Sequence, residues 1–129
     1  MNHPTAALRQ YQQVKTGAAV EGANPHQLIQ MLYEGALERI AAARGHIQRG
    51  ETARKGEQIG KAIGIIGGLR EGLNEEAGGE IAGNLASLYE YMERRLFQAN
   101  LESNTAILDE VAGLLREIKT AWDGIANVR

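Results

Sequence analysis

The side chains that could carry chemistry in this sequence are few and far apart. The chain has three histidines and no cysteine, which excludes a thiolate metal site and a disulfide framework. His26 and His46 would lie about 30 Å apart on one helix, too far to share a metal ion. The sequence also lacks the Glu-x-x-His signature of di-iron bundles, a phosphate-binding glycine loop and a nucleophile elbow. We therefore expect no enzymatic activity and no cofactor.

One short motif points to a different chemistry. Residues 46–50 read His-Ile-Gln-Arg-Gly, which resembles the His-x-x-Lys/Arg-Gly signature of histidine phosphotransfer domains. Those domains are four-helix bundles that carry an exposed histidine within a helix. The resemblance implies a phosphotransfer-like signalling bundle that uses His46. The alternative is an ordinary surface histidine near a helix that ends at Gly50.

Composition limits the class of protein. The formal net charge is −2 and 43% of the residues are hydrophobic, with acidic and basic residues interleaved. No basic stripe is available for nucleic acid, and no run approaches the ~20 apolar residues of a membrane span. The N-terminus lacks an apolar run after a basic start. We expect one cytoplasmic domain, with no nucleic-acid partner and no stable membrane insertion.

The best-specified element is a helix over residues 24–48. Asn24 can cap it, Pro25 suits its first turn, and Gln27 occupies the capping-box position. At about 100° per residue the apolar side chains cover a face of roughly 180°. Such a wide face requires two or more neighbouring helices. The residues on it are Leu28, Ile29, Leu32, Ala36, Leu37, Ile40, Ala43 and Ile47.

Three further helices are predicted over residues 52–73, 80–101 and 105–125, the last capped by Ser103 or Asn104. Their short connections favour an all-α, antiparallel up-and-down four-helix bundle over residues 24–129. The inner faces are Ile59, Ala62, Ile63, Ile66, Leu69 and Leu73; Ile81, Leu85, Leu88, Tyr89, Met92, Leu96 and Ala99; and Ile107, Leu108, Val111, Leu114, Leu115, Ile118 and Trp122.

We predict that residues 1–23 form a separate N-terminal arm or short extra helix. Leu8, Tyr11 and Val14 are spaced as on a helix but are too sparse to fold alone. Two interpretations remain. The segment is either a partly ordered terminus or an arm that lies reversibly in a groove of the bundle.

The second helix carries a glycine at every fourth position outside its apolar stripe, at Gly56, Gly60, Gly64, Gly68 and Gly72. Each costs roughly 0.5–1 kcal/mol relative to alanine in a helix interior. Gly60, Gly64 and Gly68 therefore form a candidate face for close approach by another helix. The alternative is a tolerant surface that has accumulated glycine.

Four apolar side chains fall at the edge of the inner faces or outside them. Ile65 lies beside the glycine face, and Tyr91, Phe97 and Leu101 point away from the inner face of the third helix. They are either contacts to a neighbouring helix or exposed anchors for a partner.

The order of motifs resembles the FliS family of flagellar export chaperones. The segments that carry the resemblance are residues 11–14 (YQQV), 24–37 (NPHQLIQMLYEGAL), 55–69 (KGEQIGKAIGIIGGL) and 78–96 (GGEIAGNLASLYEYMERRL), and it continues to Trp122. The resemblance implies a cytosolic, non-enzymatic bundle that binds the disordered C-terminal region of flagellin. It also implies delivery to FlhA, the gate component of the type III export apparatus. The glycines at 60, 64 and 68 are more numerous than the family pattern.

Within that resemblance, Ile65, Tyr91, Phe97 and Leu101 are the candidate client contacts. Leu8, Tyr11 and Val14 would form a movable cover that the client displaces. The free protein is expected to be a monomer or a weak homodimer, because open grooves can pair with each other.

Overall fold

Four helices account for the described structure. The computed structural model describes residues 24–73 and 75–125, with the backbone alone at 75–77. The helices are α1 (Pro25–Gln48), α2 (Thr52–Glu71), α3 (Glu75–Glu102) and α4 (Thr105–Ile125). No strand occurs in these residues. The predicted arm, with Leu8, Tyr11 and Val14, lies outside the described residues.

The start of α1 follows the predicted capping box. The side chain of Asn24 accepts a hydrogen bond from the Gln27 amide at 2.9 Å, and the Gln27 side chain accepts one from the Asn24 amide at 3.0 Å. Pro25 occupies the first turn, where a missing amide costs nothing. The helix ends at Gln48, and Gly50 follows with a φ of 71°. Cap and terminator thus fix both ends of α1 locally.

The helices pack in a closed ring. α1 packs against α2 and α4, and α3 packs against the same two helices. Short connections make successive helices antiparallel, so the predicted up-and-down bundle is confirmed. The shared interior holds the apolar faces of all four helices. Its largest fully buried side chains are Leu32, Ile59, Ile66, Tyr89, Met92, Leu96, Leu108, Val111 and Leu115.

The third helix begins earlier than predicted. The sequence predicted a helix from residue 80, whereas helical structure is already present from Glu75, and Gly79 interrupts it with φ 56° and ψ −130°. Glycine tolerates this conformation because it has no Cβ. The result is a short helical turn followed by the long straight part of α3.

Ile81 was predicted to face inward, and this prediction is wrong: its side chain is 73% exposed. Glu93 of α3 pairs with Arg70, in the last turn of α2, at 2.8 Å. Ile81 lies about 18 Å before Glu93 along the helix, so α2 does not extend far enough to cover it.

Ile65 was predicted to lie at the edge of α2, yet it is only 9% exposed and belongs to the core. Gln58 accepts a hydrogen bond from Arg39 of α1 at 3.3 Å, which identifies the side of α2 that faces α1. Ile65 is seven residues further along and therefore within about 20° of Gln58. Close packing of α1 on that side covers Ile65.

A buried tyrosine pair links α1 to α3. The hydroxyls of Tyr33 and Tyr89 are 2.6 Å apart, and both side chains are buried. Burial raises the pKa of both phenols above the ordinary value, because the charged form would lose its hydration. Tyr89 was predicted to face inward, whereas Tyr33 was not among the predicted core residues.

Candidate protein-binding surface

The four candidate contact residues do not form one cluster. Ile65 lies in the core between α1 and α2, while Tyr91 faces α4. Phe97 and Leu101 are exposed by 60% and 69%, one helical turn apart on α3. Side chains four residues apart lie on one helix face, so these two form a continuous apolar patch.

Tyr91 is part of a polar network between α3 and α4. Its hydroxyl donates to Glu110 Oε2 at 2.6 Å, and Arg95 Nε donates to Glu110 Oε1 at 2.8 Å. The bond to Glu110 raises the pKa of Tyr91, and the bonds from Tyr91 and then Arg95 lower the pKa of Glu110. Of the two interpretations of Tyr91, the structure favours contact with a neighbouring helix.

Phe97 borders the open face of α2. A Cβ built at Gly56 would lie 3.8 Å from Asn100 Oδ1, and one built at Gly67 would lie 3.5 Å from Glu93 Oε1. These contacts identify the side of α2 that faces α3. Gly60 lies within about 40° of Gly56 around α2, on the same side of the helix.

Gly60 and Gly64 are open. No described atom lies within 4 Å of a Cβ built at either position. Phe97 lies between Glu93 and Asn100 on α3, whose neighbours on α2 are Gly67 and Gly56, so helix geometry places it near the height of Gly60 along the bundle. We call the surface formed by Gly60, Gly64, Phe97 and Leu101 the α2–α3 furrow. It combines bare backbone with exposed apolar side chains.

Gly68 differs from the other two glycines of the candidate face, because it is buried. Within the described part of the chain, no helix approaches Gly60 or Gly64 closely enough to require glycine there. The close-approach prediction therefore concerns a partner and stays a prediction.

His46 lies in a salt-bridge cluster at the end of α1. Its Nδ1 is 2.8 Å from Glu51 Oε1 and 3.2 Å from an Arg49 guanidinium nitrogen, and Arg49 also pairs with Glu51 at 2.8 Å. The bonds to His46 and then Arg49 lower the pKa of Glu51. The side chain of His46 is only 14% exposed and its Nδ1 is engaged, so it is not a free surface histidine, and its use as a phosphoacceptor stays a prediction.

At the other end of the bundle, the first turn of α1 contacts the last part of α4. The His26 and Trp122 rings stack with centroids 4.6 Å apart, and Trp122 Nε1 donates to the His26 carbonyl at 3.0 Å. Trp122 thus closes the end of the bundle.

Ile81 and Ile125 are exposed, and neither was a candidate contact. Their exposure depends on where neighbouring helices end, which periodicity does not reveal.

No group of three or more histidines, aspartates or glutamates in the described residues is arranged to hold a metal ion. None of the described helices is long and apolar enough to cross a membrane. The exposed apolar patch of Phe97 and Leu101 is the feature of the described surface that suits contact with another protein.

Comparison with known proteins defines the family. The family model described as flagellar protein FliS matches residues 7–129, and the chain belongs to the FliS family. It is 59% identical over 121 residues to the flagellar secretion chaperone FliSB of Pseudomonas aeruginosa, covering 94% of this chain and 96% of that one.

More distant relatives carry the same description. Identity to the flagellar secretion chaperone FliS of Salmonella typhimurium is 46% over 125 residues, covering 96% of this chain and 93% of that protein. Identity to the FliS chaperone of Bacillus subtilis is 38% over 104 residues, covering 81% and 77%. The family is thus one of export chaperones rather than enzymes.

Proposed function

We propose that this chain is a cytoplasmic export chaperone that binds the disordered C-terminal region of flagellin and delivers it to FlhA of the flagellar type III export apparatus. The observation that carries the proposal is the α2–α3 furrow, found in a member of a family of flagellar secretion chaperones. Binding there keeps flagellin from polymerising before export.

The proposed chaperone acts by covering an apolar stripe on the flagellin terminus. A flagellin terminus that packs as an amphipathic helix in the filament has an apolar face free to self-associate in the monomer. Ordering such a disordered segment costs about 2–5 kcal/mol, so stable binding requires roughly 1,000–3,000 Å² of buried surface. The furrow is one contact area among several, and the client wraps around the bundle.

The furrow suits a helical segment of the client. Phe97 and Leu101 provide exposed anchors, and the space above Gly60 and Gly64 admits large side chains of an approaching helix. Tyr91 and Ile65 are held within the bundle and support it from inside.

Binding to a flagellin C-terminal fragment, measured by calorimetry and by induced helicity in circular dichroism, tests the proposal. Phe97→Ser and Leu101→Ser should each weaken binding, because they remove an anchor while the core stays intact. Absence of heat and of induced helicity with the unmodified chain would refute the proposed function.

Glycine substitutions test the furrow with a matched control. Gly60→Ala combined with Gly64→Ala should raise stability by up to about 1 kcal/mol per site and weaken client binding. Gly113 on α4 also has nothing described within 4 Å of an added Cβ, and it lies away from the furrow. Gly113→Ala should raise stability without changing affinity. Equal client affinity in the two variants would exclude close approach at the furrow.

The arm gives the surface a means of regulation. If Leu8, Tyr11 and Val14 cover a groove in the free chaperone, the client must displace them, which lowers its apparent affinity. Deletion of residues 1–15 should then tighten binding of the flagellin fragment. Weaker binding by the truncated chain would contradict a movable cover.

Delivery is tested separately. The complex with the flagellin fragment should retain FlhA in a pull-down, with the free fragment as the control. The phosphotransfer alternative, which uses His46, stays a prediction and has its own test, although Nδ1 of His46 already contacts Glu51 and Arg49. Absence of label on His46 after incubation with a phosphorylated receiver domain would exclude it.

A further inference from the structure

Lys55 is buried in an unusual way. Among the described residues it is the one charged side chain that is buried, with 6% exposure. Its ammonium donates to the Asn100 carbonyl at 2.9 Å and to Ser103 Oγ at 2.8 Å, both uncharged oxygens. Removing an ammonium from water is costly unless its protons are bound, so these bonds must be well placed. The negative end of the α3 dipole provides the compensating charge.

The partners of Lys55 lie in a tight corner between α3 and α4. Ser103 adopts a left-handed backbone with a φ of 49°, a conformation that residues other than glycine rarely take. The Asn104 amide donates to the Ala99 carbonyl at 3.1 Å, which is the bond of a Schellman motif. Asn104 Oδ1 then accepts from the Ala106 amide at 2.9 Å and starts α4.

Lys55 therefore joins three helices at one point. It extends from the first turn of α2 and donates hydrogen bonds to the last turn of α3 and to Ser103, which leads into α4. The sequence signal was present, because Lys55 lies four residues before Ile59 on the apolar stripe of α2. A charged residue on a core stripe requires polar partners inside the fold.

The turn of α3 that Lys55 bonds also contains residues of the α2–α3 furrow. Asn100, whose carbonyl accepts from Lys55, directly precedes Leu101, and Phe97 lies one turn earlier. We propose that Lys55 is a positioning residue that fixes the last turn of α3 against α2 and so sets the shape of the α2–α3 furrow for its client. This role rests on the proposed function.

Loss of the ammonium acts through this turn. The Asn100 carbonyl and the Ser103 hydroxyl lose their donor, and Ser103 keeps its left-handed backbone without support. The end of α3, which carries the exposed Leu101, then frays. A glycine at position 103 would adopt the same φ unaided and hold the corner without Lys55.

The test compares the full chain with Lys55→Met, Ser103→Gly and the double variant. Affinity for the flagellin C-terminal fragment is measured by calorimetry where circular dichroism shows every variant folded. Lys55→Met should weaken binding by about tenfold or more, equivalent to about 1.4 kcal/mol. The double variant, which adds Ser103→Gly to Lys55→Met, should recover most of that lost affinity. Lys119→Met removes a different lysine, paired with Asp123 on α4, and should change affinity by less than about twofold.

Each outcome decides the question. If Lys55→Met lowers the unfolding midpoint but binds the fragment within about twofold of the unmodified chain, Lys55 stabilises the fold alone and the positioning role is overturned. If Lys55→Met does not fold, the double variant is compared with Ser103→Gly alone. The positioning role predicts that the two bind the fragment within about twofold of each other, and a loss of about tenfold or more in the folded double variant would overturn it. Failure of the unmodified chain to bind would overturn the proposed function as well, and the two failures are thereby separated.

Discussion

The buried tyrosine pair allows a stability prediction that the structure makes quantitative. Tyr33 and Tyr89 share one hydrogen bond of 2.6 Å, and within the described part of the chain neither hydroxyl has a second partner. Tyr33→Phe or Tyr89→Phe leaves the remaining hydroxyl buried and unpaired, which costs about 1–3 kcal/mol. Removing both hydroxyls leaves nothing unpaired, so the double variant should lose less than the sum of the single losses.

Urea unfolding followed by circular dichroism measures these differences. With a slope of about 1.5 kcal/mol per molar urea, each single variant should lower the midpoint by roughly 1 M. The coupling energy between the two sites should fall in the range of about 0.5–3 kcal/mol that contacting residues show. Tyr91→Phe is the control, because its hydroxyl bond lies in a half-buried network and its loss should be smaller. Additive losses in the double variant would refute the pairing argument.

The tyrosine pair also predicts how the free energy of unfolding changes at alkaline pH. Burial raises the pKa of both tyrosines above the ordinary value of 10.0, and the neutral forms are therefore favoured in the folded state. Their contribution to stability is complete below about pH 10 and is lost as the pH rises through the folded-state pKa. The stability difference between the unmodified chain and the double phenylalanine variant should change above about pH 10 and be constant below it.

Three further predictions concern other parts of the bundle. Asn24→Ala should lower the free energy of unfolding by about 1 kcal/mol, since the Gln27 amide loses its cap, and urea unfolding against Asn24→Ser as control would show it. Ile65→Ala should cost about 2–5 kcal/mol by the same measurement, whereas Phe97→Ala at an exposed site should change stability little. Glu110→Gln should be less stable than the unmodified chain above pH 4.5, the ordinary pKa of a glutamate, and the difference should disappear as the pH falls through the lowered folded-state pKa. A difference that persists in acid would contradict that assignment.

Local signals in the sequence were sufficient for the helices and their caps. The Asn24 capping box, the termination of α1 before Gly50 and the cap of α4 by Asn104 all depend on residues within a few positions of each other. Such signals need no knowledge of neighbouring helices. The inward faces followed from periodicity for most positions, because a bundle must bury its apolar stripes.

The errors arose where a neighbour decides the outcome. Ile81 has the right periodicity but lies beyond the end of α2, and the burial of Ile65 depends on how far α1 extends over α2. The projection correctly placed Phe97 and Leu101 outside the inner face of α3. Only the three-dimensional packing shows that they stay exposed while Tyr91 is engaged by α4.

The glycines of α2 connect stability to function. Glycine inside a helix destabilises it by about 0.5–1 kcal/mol relative to alanine. At Gly60 and Gly64 an added methyl group would meet no described atom, so folding of the described bundle gives no reason to prefer glycine over the more stabilising alanine. Either these positions are a tolerant surface that has accumulated glycine, or bare backbone is required there by contact with something outside the described bundle. A helix that packs against the furrow beside Phe97 meets that requirement, because its side chains approach the α2 backbone only where no Cβ stands in the way.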